Sequence, residues 1–325
     1  MKSTKIKKLL VTGAGGFIGS NMVQYLLNNT VYDVIGVDSF ENGTHNKEFI
    51  ESLDKAEDRF TFNCQNFIDV DLTDVEVVFH FAATPRVSYS VEQPLLTNEN
   101  NVTNTLILLD KCVKNKIKRF VFSSSSSVYG DVENFPTSET EETGPISPYG
   151  LQKLTIEKYC KLYSDLYNLD TVSLRYFNVY GPNQYSDNAY ATVICAWIKG
   201  FIENTLIRLD GTGEQSRDFS YVEDVCQANY LVGLYKDKLK GDVYNVAHNS
   251  NTTLNELLDI IKTLSSNKDL PIDKKDNFRV GDVFKTHADI DKIKKLNFIP
   301  KTHIKEGVEL TYSWYKTILK KYKNG

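Results

Sequence analysis

Three glycines constrain the start of this chain more than any other feature. In Leu9-Leu10-Val11-Thr12-Gly13-Ala14-Gly15-Gly16-Phe17-Ile18-Gly19, an apolar run leads straight into Gly13, Gly16 and Gly19. Apolar residues then recur at helical spacing, at Met22, Val23, Leu26 and Leu27. This order predicts a strand over 6–12, a tight turn, and a helix over 16–28. Gly13 permits the turn, Gly16 keeps the backbone bare, and Gly19 lets the helix pack on the sheet.

The open N–H groups at such a helix start attract an anion. Asp38 closes the next predicted strand (34–37), 19 residues after Gly19. A carboxylate there accepts both hydroxyls of a ribose and repels a 2′-phosphate. The set therefore predicts a dinucleotide site that takes NAD rather than NADP, with Phe17 and Ile18 on its helix start. Asn66 and Phe67, just past a predicted strand over 59–63, are candidates to flank the adenine.

The alternation continues. Strands are predicted over 75–81, 120–123, 171–177 and 243–247, and helices over 95–112, 149–167, 191–201, 222–235, 253–264 and 304–319. Strands alternating with helices predict an α/β chain with a doubly wound parallel sheet, the Rossmann arrangement. Past Asn178 the texture changes to loops, short strands and glycine turns. The expected division is a dinucleotide-binding domain of 1–177 plus 221–248, and a smaller, discontinuous α/β substrate domain of 178–220 plus 249–325. A length of 325 residues fits two domains of ~100–200 residues.

Composition excludes several classes. A net charge of −4 gives no electrostatic reason to expect nucleic acid. No apolar run approaches the ~20 residues of a membrane span. The five cysteines are scattered without a CxxC, which argues against a disulfide framework or any metal site and for a reducing, cytoplasmic setting. Only seven of the 38 basic residues are arginine. Those seven merit location, because guanidinium binds phosphate or carboxylate with two parallel hydrogen bonds and ammonium does not.

Ser147-Pro148-Tyr149-Gly150-Leu151-Gln152-Lys153 supplies a helix cap, a first-turn proline, and Tyr149 and Lys153 one turn apart on one face. A cation beside the phenol lowers its pKa from the usual ~10, so Tyr149 is a candidate general base. The serine run Ser123–Ser127 leaves the carboxyl end of a predicted strand, where doubly wound sheets bind ligands.

TGAGGFIG, the serine run ending SSVYG, and SPYGLQK together resemble the extended short-chain dehydrogenase/reductases that modify nucleotide sugars, and among these the 4-epimerases. HFAATPRVSYS, NNV at 100–102, LRYFNVYGP, SRDFSYVEDV and RVGDVFKTHAD follow in the same order, so the resemblance covers nearly the whole chain. It implies Ser125 as catalytic hydroxyl, Tyr149 as base and Lys153 as its partner and a ribose ligand. It further implies that Ala82, Ala83, Asn101, Ser123, Tyr176, Phe177 and Val179 line the NAD site. Arg217 and Arg279 would clamp the substrate diphosphate, with Asp282 near the nucleotide ribose and Asn178 near the diphosphate or sugar. Arg86, Ser88, Ser126, Thr192, Val193 and Arg208 complete the implied substrate contacts. A homodimer through the helices at 95–112 and 149–167 is implied as well.

The substrate is read from departures between subfamilies. Members resembling 4,6-dehydratases carry an Asp-Glu pair where this chain has Ser126-Ser127. Two hydroxyls cannot do that acid–base work at neutral pH. Glucuronate 4-epimerases place an arginine where Tyr185 stands, although the RFTF and THAD segments look like theirs. The family's sugar-pocket gatekeeper position is Thr286, small enough to leave room for an acetamido group. The expectation is a UDP-N-acetylglucosamine 4-epimerase, with UDP-glucose as a further candidate substrate and UDP-glucuronate 4-epimerase as the alternative.

Overall fold

Strand β1 (Lys8–Thr12) is buried along nearly its whole length, with Leu9, Leu10 and Val11 almost inaccessible. A strand of this kind is covered on both faces, which is how parallel sheets satisfy their apolar residues. The computed structural model describes residues 7–41, 43, 46–186, 192–275 and 283–323. After β1 come α1 (Phe17–Asn29), β2 (Asp33–Asp38), α2 (Lys47–Ala56), β3 (Phe60–Cys64) and β4 (Val75–His80). The helical stretch α3 (Val87–Glu92), α4 (Pro94–Asn98), a π-helical turn (Glu99–Thr103) and α5 (Asn104–Lys114) leads to β5 (Arg119–Ser125). Then follow α6 (Pro148–Tyr167), β6 (Asp170–Tyr176), β7 (Val179–Tyr180), α7 (Val193–Glu203), β8 (Ile207–Asp210), β9 (Ser216–Arg217) and β10 (Ser220–Tyr221). The chain continues through α8 (Val222–Gly233), β11 (Asp242–Val246), β12 (Thr252–Thr253), α9 (Leu254–Leu264), β13 (Ile272–Lys275), α10 (Asp291–Lys294) and α11 (Ile304–Lys323).

The main sheet has seven strands in the order β11-β6-β5-β4-β1-β2-β3, every neighbouring pair parallel. This is the doubly wound Rossmann order with one further strand. Strand order reverses between β1 and β4, so the loops that follow those two strands open a crevice at their carboxyl ends. One apolar core lies on each face of the sheet. Arg119 fastens β5 to β6 by pairing with Asp170, and its other donors reach the carbonyls of Val232, Tyr235 and Asp237 at the end of α8. The pair is buried, but every donor has a partner, the condition under which such a charge is tolerated.

A third core joins Tyr180, Trp197, Phe201, Ile207, Phe219, Leu257 and Tyr315, drawn from β7, α7, β8, α9, α11 and the intervening segments. Two sequence expectations need correction. Residues 288–298 do not join this third core: Ala288, Ile290, Ile293, Leu296 and Phe298 pack into the sheet core, where α10 lies on β11. The helix expected over 95–112 is interrupted by the π turn, which turns Asn101 inward. Helix α2 was not foreseen.

Candidate functional site

The glycine turn is built as its spacing demands. Gly13 sits at φ +70°, and a Cβ there would lie 2.7 Å from the Ala82 nitrogen. The turns after β1 and β4 therefore touch through bare backbone, and Ala82 N–H donates to Thr12 Oγ1. A Cβ on Gly19 would lie 2.0 Å from the Gly13 carbonyl, so only glycine lets α1 start here. Gly16 caps α1 without any side-chain hydrogen bond, followed by Phe17 and Ile18, leaving the helix start to an anion.

Asp38 accepts from Gly15 N–H (2.9 Å) and Phe40 N–H (2.8 Å), one on each carboxylate oxygen. Burial raises its pKa, and those backbone donors oppose the shift. Each oxygen keeps acceptor capacity for a hydroxyl. Gly15 was not singled out in the sequence; a Cβ there would strike the Phe40 ring at 2.2 Å. A bare turn, an uncapped helix start and a pinned carboxylate at one sheet edge fit a dinucleotide. When bound, NAD supplies hydride acceptance and return.

The other expected cofactor residues divide into two groups. Ala82 and Ala83 lie in the loop after β4 and Val179 lines a cavity described below. Asn66 caps the short turn 67–69, and the Phe67 ring meets His80 edge-on at 5.0 Å, packed against the core. Asn101 is buried and holds Thr84 and Gln152 with its amide, so it shapes the loop after β4. Tyr176 donates its hydroxyl to Asn229, and Phe177 is buried against Tyr129.

At the carboxyl end of β5 the expected catalytic groups meet. Ser147 caps α6 by accepting from Gly150 N–H (3.1 Å), with Pro148 in the first turn. This sets Tyr149 and Lys153 on the face that packs on β5. Lys153 Nζ donates to the Ser123 carbonyl at 2.7 Å and lies 5.7 Å from the centre of the Tyr149 ring. Burial pushes the Tyr149 phenol up to about 12, and the neighbouring Ser125 side chain opposes that shift. Burial pushes Lys153 down to about 7, and Glu157 acts in the opposite direction. Ser125 also accepts from Ser127 N–H and caps the short turn 126–128, which contains Ser126.

A cavity of 430 Å³ lies against the third core, opening on Asn178 and Val179 just past β6. Asn178, Thr192, Val193, Arg208 and Arg217 line it, all expected from the sequence, together with Trp197, Leu206, Gln215, Phe219 and Leu254, which were not. Of these, Phe219 lies in the SRDFSYVEDV segment without having been singled out, and folding collects the rest. Arg217 is buried and donates to the carbonyls of Ser216 and Phe284. Arg208 pairs with Asp210 at 2.6 Å on the rim. Asn178, at φ +35°, donates to Thr286 Oγ1 (2.9 Å), which also accepts from Asp218 N–H. Arg86 immediately precedes α3 without a side-chain capping hydrogen bond, and Ser88 lies exposed on that helix. Tyr185 packs its ring on Trp314 of α11. Arg279 and Asp282 lie outside the described residues.

Among the described residues no cluster of His, Cys, Asp and Glu could hold a metal ion, and no helix is long and apolar enough to cross a membrane. A parallel sheet with a glycine turn at its switch point and a Ser-Tyr-Lys set one strand away defines a nucleotide-dependent enzyme class. The chain belongs to the NAD dependent epimerase/dehydratase family, which it matches over residues 9–247.

Solved structures extend the likeness over the whole fold. A UDP-N-acetylglucosamine 4-epimerase from Methanobrevibacter ruminantium, in complex with UDP-N-acetylmuramic acid, is 36% identical with a TM-score of 0.88, covering 97% of this chain and 100% of that one. A UDP-glucose 4-epimerase from Thermotoga maritima, with UDP-glucose, is 35% identical with a TM-score of 0.86 (96% and 99% covered). A UDP-glucuronic acid 4-epimerase from Bacillus cereus, with UDP-glucuronic acid and NAD, is 33% identical with a TM-score of 0.87 (96% and 99% covered).

Proposed function

We propose that this protein is a UDP-sugar 4-epimerase that prefers UDP-N-acetylglucosamine and its 4-epimer, working with a retained NAD. The observation that carries the reading is the grouping of Tyr149 and Lys153 on the face of α6 that packs on β5, where Lys153 bonds the Ser123 carbonyl two residues before Ser125, in a fold that also holds a cavity lined by Arg217.

Tyr149 takes the proton from the sugar 4-hydroxyl as hydride leaves C4, and Ser125 holds the same oxygen. Lys153 stabilises the phenolate. Arg217 anchors the diphosphate from the cavity side, so the 4-keto sugar can turn about that anchor and present its other face. The proton held on Tyr149 then returns to the oxygen. Hydride is returned, so no second substrate is consumed.

Thr286 supports the acetamido sugar: it is compact, half-buried and tied to Asn178 rather than filling space with a ring. Tyr185 brings no charge for a glucuronate carboxylate and is packed on Trp314. The test is a panel of UDP-N-acetylglucosamine, UDP-glucose and UDP-glucuronate under identical conditions without added NAD. The expected result is highest kcat/KM for the first. Failure to epimerise any of them, with NAD demonstrably bound, sinks the reading.

A homodimer belongs to the same proposal. Leu95 on α4 and Leu151, Leu162, Leu166 and Tyr167 on α6 are exposed apolar residues. A second copy covering this helical face would bury them. Leu109 and Tyr163 face the core instead. Light scattering at twice the chain mass is expected.

A further inference from the structure

Glu157 lies one turn beyond Lys153 on α6 and is almost wholly buried. Its carboxylate accepts from Ser124 Oγ on β5 at 2.5 Å, and from Arg175 Nε (2.9 Å) and Nη2 (2.7 Å) on β6. The Arg175 guanidinium lies in turn over the Tyr129 ring, 4.6 Å from its centre. Helix α6 is thus stitched to two consecutive residues of β5. Lys153 holds the Ser123 carbonyl and Glu157 holds the Ser124 hydroxyl, just before Ser125, whose side chain acts on the Tyr149 phenol.

A buried carboxylate is expensive to desolvate. A core that needed only packing would use an apolar residue here. The charged groups around Lys153 make the choice intelligible. Tyr149 and Glu157 face it from its own helix. From β5 come the Ser123 carbonyl and the Phe122 ring, 4.8 Å from Nζ. His80 approaches from β4 and is held neutral, its pKa driven to about 3 by burial with the Lys153 charge adding to the shift. Arg175 lies beyond Glu157 on β6. With a neutral phenol the set Lys153, Arg175 and Glu157 carries one net positive charge; the Tyr149 phenolate balances it.

We infer that Glu157 is a positioning residue for the Tyr149–Lys153 pair: through Ser124 it sets β5, and so Ser125, against Tyr149, and it places a carboxylate one helical turn from Lys153. This rests on the proposed role of Tyr149 as base.

The experiment titrates the NAD-loaded protein. Tyr149 ionisation is read as the ultraviolet difference between each protein and its Tyr149→Phe counterpart, in wild-type and Glu157→Gln backgrounds, beside the pH profile of kcat. Removing a negative charge favours every deprotonated form, so the Tyr149 transition and the limbs of the kcat profile should move to lower pH by about one unit. Glu157→Asp should restore both positions. A fall in kcat or stability at unmoved pH would make Glu157 merely structural and overturn the inference. The ionisation readout needs no turnover. A moved transition without epimerisation would therefore fault the proposed function and leave this inference standing.

Should Glu157→Gln not fold, because Arg175 is stranded, Ser124→Ala provides the second arm. It cuts the link to β5 and keeps both charges. Expected is a roughly tenfold loss of kcat with KM within about twofold, restored by Ser124→Thr. An unchanged kcat overturns the anchoring.

Discussion

Lys153 Nζ and the main-chain carbonyl of Ser123 are joined by a 2.7 Å hydrogen bond that crosses from α6 to β5 inside the protein. Burial lowers the Lys153 pKa to about 7. The unfolded chain, with a lysine near ~10.4, therefore binds more protons than the native one between those two values. The charged form costs stability below pH 7, and the cost fades as pH rises toward the unfolded value. Lys153→Met should accordingly raise Tm more at pH 6 than at pH 9 in the NAD-free protein. Thermal melts at the two pH values check this; an equal or reversed difference would deny the buried ammonium.

The phenol of Tyr149 is expected to carry the proton transfer. Tyr149→Phe should lower kcat at least ~10²-fold while NAD stays bound. Near-normal turnover would remove Tyr149 as base. Ser125→Ala, which deletes the hydroxyl proposed to hold the same sugar oxygen, should cost less, about tenfold in kcat.

Asp38 spends one oxygen on Gly15 and the other on Phe40. Asparagine can accept only one of these. Asp38→Asn should weaken NAD binding about tenfold and narrow the discrimination against NADP, measured by calorimetric titration. A variant with unaltered preference would show that the ribose is read elsewhere.

Arg217 bonds two carbonyls at the cavity wall while lining the space expected for the diphosphate. Lysine cannot serve both. Arg217→Lys should raise KM for the UDP-sugar at least about tenfold with a smaller change in kcat. Steady-state kinetics separates the two.

Thr286 sits where Asn178 and Asp218 N–H converge on its hydroxyl. Thr286→Tyr should fill the acetamido space. The ratio of kcat/KM for UDP-N-acetylglucosamine over UDP-glucose is expected to fall at least about tenfold. An unchanged ratio would place the specificity elsewhere.

The arginines show how far composition carries. Their scarcity suggested phosphate ligands, and Arg217 does line the cavity. Arg119 and Arg175 are instead buried partners of Asp170 and Glu157, and Arg59 holds the carbonyls of Leu27, Thr30 and Tyr32. Guanidinium was retained there because its fork satisfies several acceptors at once. No local pattern separates those uses from ligand binding.

What the sequence determined by itself is local. Gly13, Gly16 and Gly19, the Ser147 cap and the Tyr149–Lys153 spacing act within a turn or two, so backbone sterics and helical periodicity suffice to read them. The parallel, doubly wound character of the sheet follows from the alternation of strands and helices, whereas the order of its strands came from the structure. Only the tertiary structure decided that Asn101 and Tyr176 turn their polar groups onto protein partners, that residues 288–298 close over the sheet, and that Glu157 grips Ser124 and Arg175. Those outcomes depend on partners far away in the chain, and burial leaves each polar group little choice but the partner that folding brings to it.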